Sequence, residues 1–176
     1  TIEAFQNIGG ADFPFQRTGL FLQKGIVSPF SIQTLQDTFV FIGAGQNESP
    51  AIWTLQGNDV AKISTTAIDK ELSALTEAQV ASIYSWGYAE KGAYFVGFSL
   101  PSGTFVYDII TKRWHERKSV IEGTLGGYRV TALVRAYNDI WAGDLVDGRI
   151  GNLSPDVFDE YGTEIRRSIV TQPFQS

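Results

Sequence analysis

Tyr107-Asp108-Ile109-Ile110-Thr111-Lys112-Arg113-Trp114-His115-Glu116-Arg117-Lys118-Ser119 reads as strand, tight turn, strand. The first strand runs from Thr104 to Ile109 and the second from Arg113 to Ser119. Asp108 and Thr111 place side-chain oxygens where they can bond the backbone of the turn. Tyr107 precedes the turn and Trp114 follows it, so each strand carries an aromatic residue beside the reversal.

The same grammar extends outward. Strand-like runs occupy Thr38 to Gly43, Ala51 to Leu55, Val60 to Thr65, Ala93 to Leu100, Val130 to Tyr137 and Ile140 to Leu145. They are rich in β-branched and aromatic residues and end at Gly, Asn, Asp or Pro. Turns are expected at Gly57-Asn58-Asp59, Ala89-Glu90-Lys91-Gly92 and Pro101-Ser102-Gly103. Val146-Asp147-Gly148 contains the Asp-Gly pair that a tight primed turn favours. One segment departs from this pattern. Ala67, Ile68, Leu72 and Leu75 fall near helical spacing, predicting a helix over about Ala67 to Ala74. Thr76 and Gln79 form a capping box for a second turn of helix.

Three groups of four strands follow one another. The first is Ser31 to Leu35, Phe39 to Gly43, Ala51 to Leu55 and Val60 to Thr65. The second is Ala81 to Tyr88, Tyr94 to Leu100, Thr104 to Ile109 and Trp114 to Ser119. The third is Arg129 to Tyr137, Ile140 to Asp144, Arg149 to Leu153 and Ile165 to Thr171. Equivalent second strands start at Phe39, Tyr94 and Ile140, 55 and 46 residues apart. Four-stranded propeller blades repeat at about 40–50 residues. The expected fold is therefore all-β: propeller-like blades of four antiparallel strands, with one short helical insertion near 67–80. The blades divide the chain at 1–30 (partial), 31–80 (blade plus helix), 81–127 and 128–176. Ile2 to Ile8 and Gly19 to Ile26 supply two strands of the partial blade, for about three and a half blades and an open or partial ring. A generic β-sandwich is the competing architecture. The chain opens on a strand-like run and holds no methionine, so it is expected to be part of a longer protein.

Composition excludes whole classes of chemistry. Of 176 residues, 43% are hydrophobic and 19% charged, which gives a globular chain. With no cysteine, there is no disulfide, thiolate zinc site or cysteine nucleophile. A single histidine, His115, rules out a multi-histidine metal site. The formal charge of −5 argues against a dedicated nucleic-acid surface. No apolar run reaches the ~20 residues that span a bilayer, and the opening residues carry no signal-peptide pattern.

The remaining polar residues read as structural. His115 could act as a base, but no G-x-S-x-G elbow accompanies it, so it reads as a strand residue. Asp108, Asp144, Asp147, Asp156, Asp159 and Glu160 lie near turns, and read as turn formers before they read as paired glycosidase carboxylates. Gly43-Ala44-Gly45 lacks the third glycine of a dinucleotide loop, with Glu48 in its place. Asn47-Glu48-Ser49 is formally a glycosylation acceptor, followed by Pro50. Arg113, Arg117, Lys118, Arg129, Arg135, Arg166 and Arg167 make the second half basic. They read as solubility and cross-strand pairing with Glu116, Glu122 and Glu164, with docking of an acidic protein or a phosphate backbone as the alternative. Trp53, Trp86, Trp114 and Trp141 fall in or beside the expected blades and read as packing between them. No metal or cofactor site is expected.

Two resemblances arise from these residues. Tyr107, Asp108, Thr111 and Trp114 match the blade motif of kelch propellers. Kelch blades also close their second strand with a glycine doublet, which Gly43, Gly97 and Gly143 do not supply. The wider match covers almost the whole chain. Ile2 to Arg17, Lys62 to Ile68, Phe105 to Ser119, Val134 to Gly162 and Ile165 to Val170 resemble, in order and spacing, the C-terminal part of the packaged-DNA stabilisation proteins (tail hub or nozzle) of P22-like short-tailed phages. That resemblance implies a structural, non-enzymatic virion protein with a propeller-like fold, located in the tail and assembled in the host bacterial cytoplasm. It implies an oligomer that touches other tail and portal-adaptor proteins, extends the channel and helps retain packaged DNA. It implies no cofactor, no membrane and no specific nucleic-acid binding, at most the passage of genomic DNA. It carries over no catalytic residue. Tyr107, Asp108, Thr111 and Trp114 are then a structural blade motif. A kelch-like adaptor for a protein partner and a carbohydrate-active propeller are the alternatives.

Overall fold

The computed structural model describes residues 1–35 and 37–170. The chain folds as antiparallel sheets set side by side, with one helical insertion. A hairpin of β1 (Ile2–Asn7) and β2 (Phe15–Leu22) comes first. The first large sheet contains β3 (Gly25–Ile26), β4 (Gln33–Leu35), β5 (Thr38–Ala44), β6 (Ala51–Gln56) and β7 (Asp59–Lys62). Both β3 and β4 pair with β5, β3 near Gly43 and β4 near Val40. They act as one interrupted strand, so the sheet has four columns. The expected strand Gly19 to Ile26 is therefore two strands with separate partners. The break falls at Gln23-Lys24, where the chain leaves the hairpin.

The helical insertion follows. Thr65 accepts from the Ile68 N–H and caps α1 (Thr66–Ala74). Thr76 and Gln79 close the expected capping box on α2 (Glu77–Ala81). Ile68, Leu72 and Val80 face inward. The strand expected from Ala81 begins at Tyr84, because the capped helix holds the chain through Ala81.

The second sheet runs β8 (Tyr84–Glu90), β9 (Ala93–Leu100), β10 (Gly103–Asp108), β11 (Arg113–Ile121) and β12 (Thr124–Gly127) in order. The third comprises β13 (Val130–Ala136), β14 (Asp139–Asp144) and β15 (Ile150–Asn152). A small hairpin of β16 (Asp159–Glu160) and β17 (Thr163–Glu164) follows it. The strand expected at Ile165 to Thr171 does not form over Ile165–Val170, and Thr171 lies outside the described residues. A strand exists only through its ladder, and β15 offers just three residues of edge; Ile169 and Val170 remain exposed.

Turn chemistry sets the hairpins. Lys91-Gly92, Glu122-Gly123, Tyr137-Asn138 and Tyr161-Gly162 each hold two successive residues at positive φ, as two-residue primed turns require. The Asp147-Gly148 pair does not make such a turn. Only Gly148 is at positive φ, and the connection from Asp144 to Ile150 is wider because Asp144 and Asp147 are engaged with arginines.

Period-two alternation gives the second sheet two buried faces. Val96, Phe98 and Leu100 point to the first sheet and pack with Val40, Ile42, Ile52, Ile68, Leu72 and Ile83. Trp86 and Val106 point to the third sheet and pack with Tyr128, Val130 and Ala142. Each such aliphatic side chain contributes roughly 1.5–3 kcal/mol on burial. First strands lie next to first strands: β4 against β8, and β8 against β13. Buried serines join the first two sheets. Ser28 Oγ donates to the Ile83 carbonyl at 2.7 Å, and Ser31 Oγ, which accepts from the Ile42 N–H at 3.2 Å and donates to the Ser28 carbonyl, holds Ser28 on the first sheet.

Candidate functional site

On β11, Arg113, His115, Arg117 and Ser119 face the third sheet, while Trp114 faces the first. Beyond the packed contact of Trp86, Val106 and Val130, the second and third sheets part. They leave a cleft of about 1270 Å³. Its floor is Arg117, whose guanidinium carbon lies 5.5 Å from the Trp86 ring centre, 5.4 Å from Tyr88, 5.4 Å from Phe95 and 5.7 Å from Tyr128. Arg117 Nη2 donates to the Tyr88 hydroxyl at 2.6 Å, and Nε donates to His115 Nε2 at 3.3 Å. Burial works against the charge of Arg117, but the Tyr88 and Tyr128 hydroxyls outweigh it, so its pKa rises. Burial pushes the Tyr128 hydroxyl up as well.

His115 sits at the cleft rim with its ring edge on Phe95 at 6.0 Å. Partial burial, then the neighbouring Arg117 charge, lowers its pKa, with Asp108 opposing. A neutral imidazole suits the bond it accepts from Arg117. No hydroxyl nucleophile is bonded to it among the described residues.

The opposite wall is a polar knot. Arg129 and Asp144, both buried, form an ion pair, and Asp144 also accepts from the Val146 N–H at 2.6 Å. Asp147 bonds Arg149 at 2.5 Å, and this bond holds the Asp147 pKa down. The guanidinium of Arg149 lies 4.0 Å, and that of Arg129 4.7 Å, from the Tyr161 ring centre. Glu160 accepts from Ser119 Oγ at 3.1 Å, and partial burial raises its pKa.

Tyr107 and Trp114 of the opening hairpin fall on the other side of the second sheet, and Asp108 stands at its turn. Asp108 is a turn former: its carboxylate accepts from the Ile110 N–H at 2.9 Å and the Thr111 hydroxyl at 2.7 Å. Burial opposes that charge, but the Thr111 and Ile110 bonds prevail and its pKa falls. Tyr107, buried with its hydroxyl pKa raised, lies 4.9 Å from Trp114, ring centre to ring centre. Trp114 Nε1 donates to the Ile63 carbonyl at 2.7 Å, tying the second sheet to the chain leaving the first. Trp86 also packs between sheets. Trp53 and Trp141 bond carbonyls of their own sheets, Gly43 and Ala136, which corrects the reading that all four tryptophans pack between blades.

The basic residues are placed differently from expectation. Among the described residues, only Glu116 of the proposed acid partners pairs, with Lys118 at 2.9 Å. Arg117 and Arg129 point inward instead, because aromatic rings and Asp144 receive their charges there. Arg166 and Arg167 join them on the cleft, with Arg167 over Phe158 at 5.1 Å. Among the acids, Asp144 is a buried ion partner rather than only a turn former. Glu48 folds back on the Gly45 N–H and pairs with Lys24. Among the described residues no three histidine, aspartate or glutamate side chains converge as a metal site. No described helix is long and apolar enough to cross a membrane.

Residues 1–158 match the family model described as "Bacteriophage P22 Gp10, beta-propeller". No curated protein matches the chain.

Proposed function

The chain belongs to the bacteriophage P22 Gp10 β-propeller family, and from that membership we propose that it is a structural, non-enzymatic component of a short phage tail. In this reading it extends the channel below the portal and its adaptor, joins neighbouring tail proteins as an oligomer, and helps retain packaged DNA in the virion. The observation that carries the reading is the family match across nearly the whole described chain. The architecture supports it: three antiparallel sheets stacked face to face, first strand against first strand, is the arrangement of propeller blades. The first blade then begins near residue 25, where β3 joins β5, and later blades begin near 81 and 128. Tyr107, Asp108, Thr111 and Trp114 act as a blade motif that fixes the turn and docks one blade on the next. The negative charge of the chain suits a conduit that must not grip DNA.

A phage in which the gene is silenced by an amber codon tests this. Grown on a non-suppressing host, it should give particles with incomplete tails and a DNase-sensitive genome, both restored by the gene in trans. Complete tails and a fully retained genome without the gene product would refute the proposal.

A further inference from the structure

We propose that the cleft between the second and third sheets docks a segment of a partner protein that places one carboxylate on Arg117 and an apolar side chain beside it. This goes beyond the tail reading and does not depend on it.

The inference starts from an incomplete ion. A half-buried cation is favoured by a counter-charge, yet Arg117 has aromatic rings around it and no carboxylate within ion-pair distance among the described residues. A guanidinium carries five N–H donors. Tyr88 and His115 engage two of them, which leaves three. No enclosed side-chain nitrogen or oxygen lacks a partner among the described residues, and Arg117 itself lines the cleft. The rings clamp the guanidinium plane, and a pre-oriented fork fits a carboxylate through two parallel bonds.

The surroundings select protein over nucleic acid. Five basic and five acidic residues line the cleft, so its net charge is zero. Glu90, Asp159 and Glu160 would repel a phosphodiester chain but tolerate a single carboxylate. Phe95, Leu125, Val157 and Ile165 provide apolar wall beside Arg117, and Leu125 is 47% exposed. A phosphodiester backbone gains nothing from that wall, whereas a peptide with Phe or Leu next to Glu does.

Nuclear magnetic resonance of the whole chain reads this directly through the Arg117 Nε–Hε and Trp86 indole signals. The probes are the capped dipeptides acetyl-Glu-Phe-amide and acetyl-Gln-Phe-amide, with dimethyl phosphate and sodium chloride at equal ionic strength. The Glu peptide should shift both signals saturably, at least tenfold tighter than the Gln peptide and fivefold tighter than dimethyl phosphate; chloride should shift neither. Arg117→Lys keeps the charge and the fold but loses the fork, and should weaken the Glu peptide at least fivefold. Arg117→Gln, checked for native circular dichroism, should abolish the preference for Glu. Equal binding of the two peptides would overturn the proposal. So would tighter binding of dimethyl phosphate, which would point to nucleic acid, or an unchanged affinity in Arg117→Lys.

Discussion

Replacing Gly97 by alanine should be among the most damaging single-methyl changes in this protein. A Cβ at Gly97 would stand 2.2 Å from Cζ2 of Trp86 and 2.4 Å from Cε2. Carbon atoms rest at about 3.5–4.0 Å, so the indole must retreat by roughly 1.5 Å. It has nowhere to go. Trp86 is 2% exposed, with Tyr128 at 5.6 Å and Tyr88 at 6.3 Å, ring centre to ring centre, and its Nε1 donates to Ser99 Oγ at 3.4 Å. Overpacking costs about 1–3 kcal/mol, and loss of the indole bond adds about 1 kcal/mol. The expected destabilisation is therefore about 2–4 kcal/mol. Urea unfolding followed by tryptophan fluorescence and circular dichroism measures it, with the slope unchanged and the midpoint lowered. Gly126→Ala is the control. Nothing lies within 4 Å of its Cβ position, and it should shift stability by less than ~0.5 kcal/mol. In a Trp86→Leu background the Gly97→Ala penalty should vanish, because the obstructing ring is gone. A Gly97→Ala protein within ~0.5 kcal/mol of the parent, or an equal loss in both backgrounds, would refute the reasoning.

Three further outcomes follow from the same geometry. Asp144→Ala strands the buried Arg129 charge, and should cost about 3 kcal/mol or more by urea titration; Arg129→Met with Asp144→Leu should recover much of it. Trp114→Phe removes the 2.7 Å bond to the Ile63 carbonyl, leaves that acceptor unpaired, and should cost about 1–3 kcal/mol. For Glu160 the folded pKa lies above its unfolded value. The folded state then binds more protons between the two, so stability falls as pH rises through that window. Glu160→Gln should melt higher than the parent at pH 7 and converge with it below about pH 4; a parent with a flat profile between pH 4 and 7, identical to the variant, would contradict this.

Much of the fold was legible in the residues because its causes are local. Alternation and turn residues placed the long strands of the first two sheets, and Thr76 with Gln79 placed the second helix. Where ladders are short the reading failed: β3, β12 and the β16–β17 hairpin offer too few residues for a pattern, and Ile165 to Val170 have the pattern but no edge to pair with. The cleft was less legible. Arg117, Arg129 and Asp144 were seen as a basic stretch and a turn acid, since nothing in a strand tells which charged side chain turns inward. Ser28, which joins the first two sheets through the Ile83 carbonyl, gave no signal, because a serine's partner outside its own sheet leaves no trace in its neighbours.

Sequence alone determined that this chain is built of short antiparallel strands interrupted by one helical insertion, that thiol chemistry is closed to it, and that Asp108 and Thr111 close a turn between Tyr107 and Trp114. These follow from side-chain period, composition and hydrogen bonds a few residues long. Tertiary structure decided the rest: that Gly97 is the space a tryptophan occupies, that Arg129 finds Asp144, and that Arg117 lies in an aromatic box opening on a cleft. Each depends on which faces of separate sheets meet, and that is set by the packing of the whole chain rather than by any segment of it.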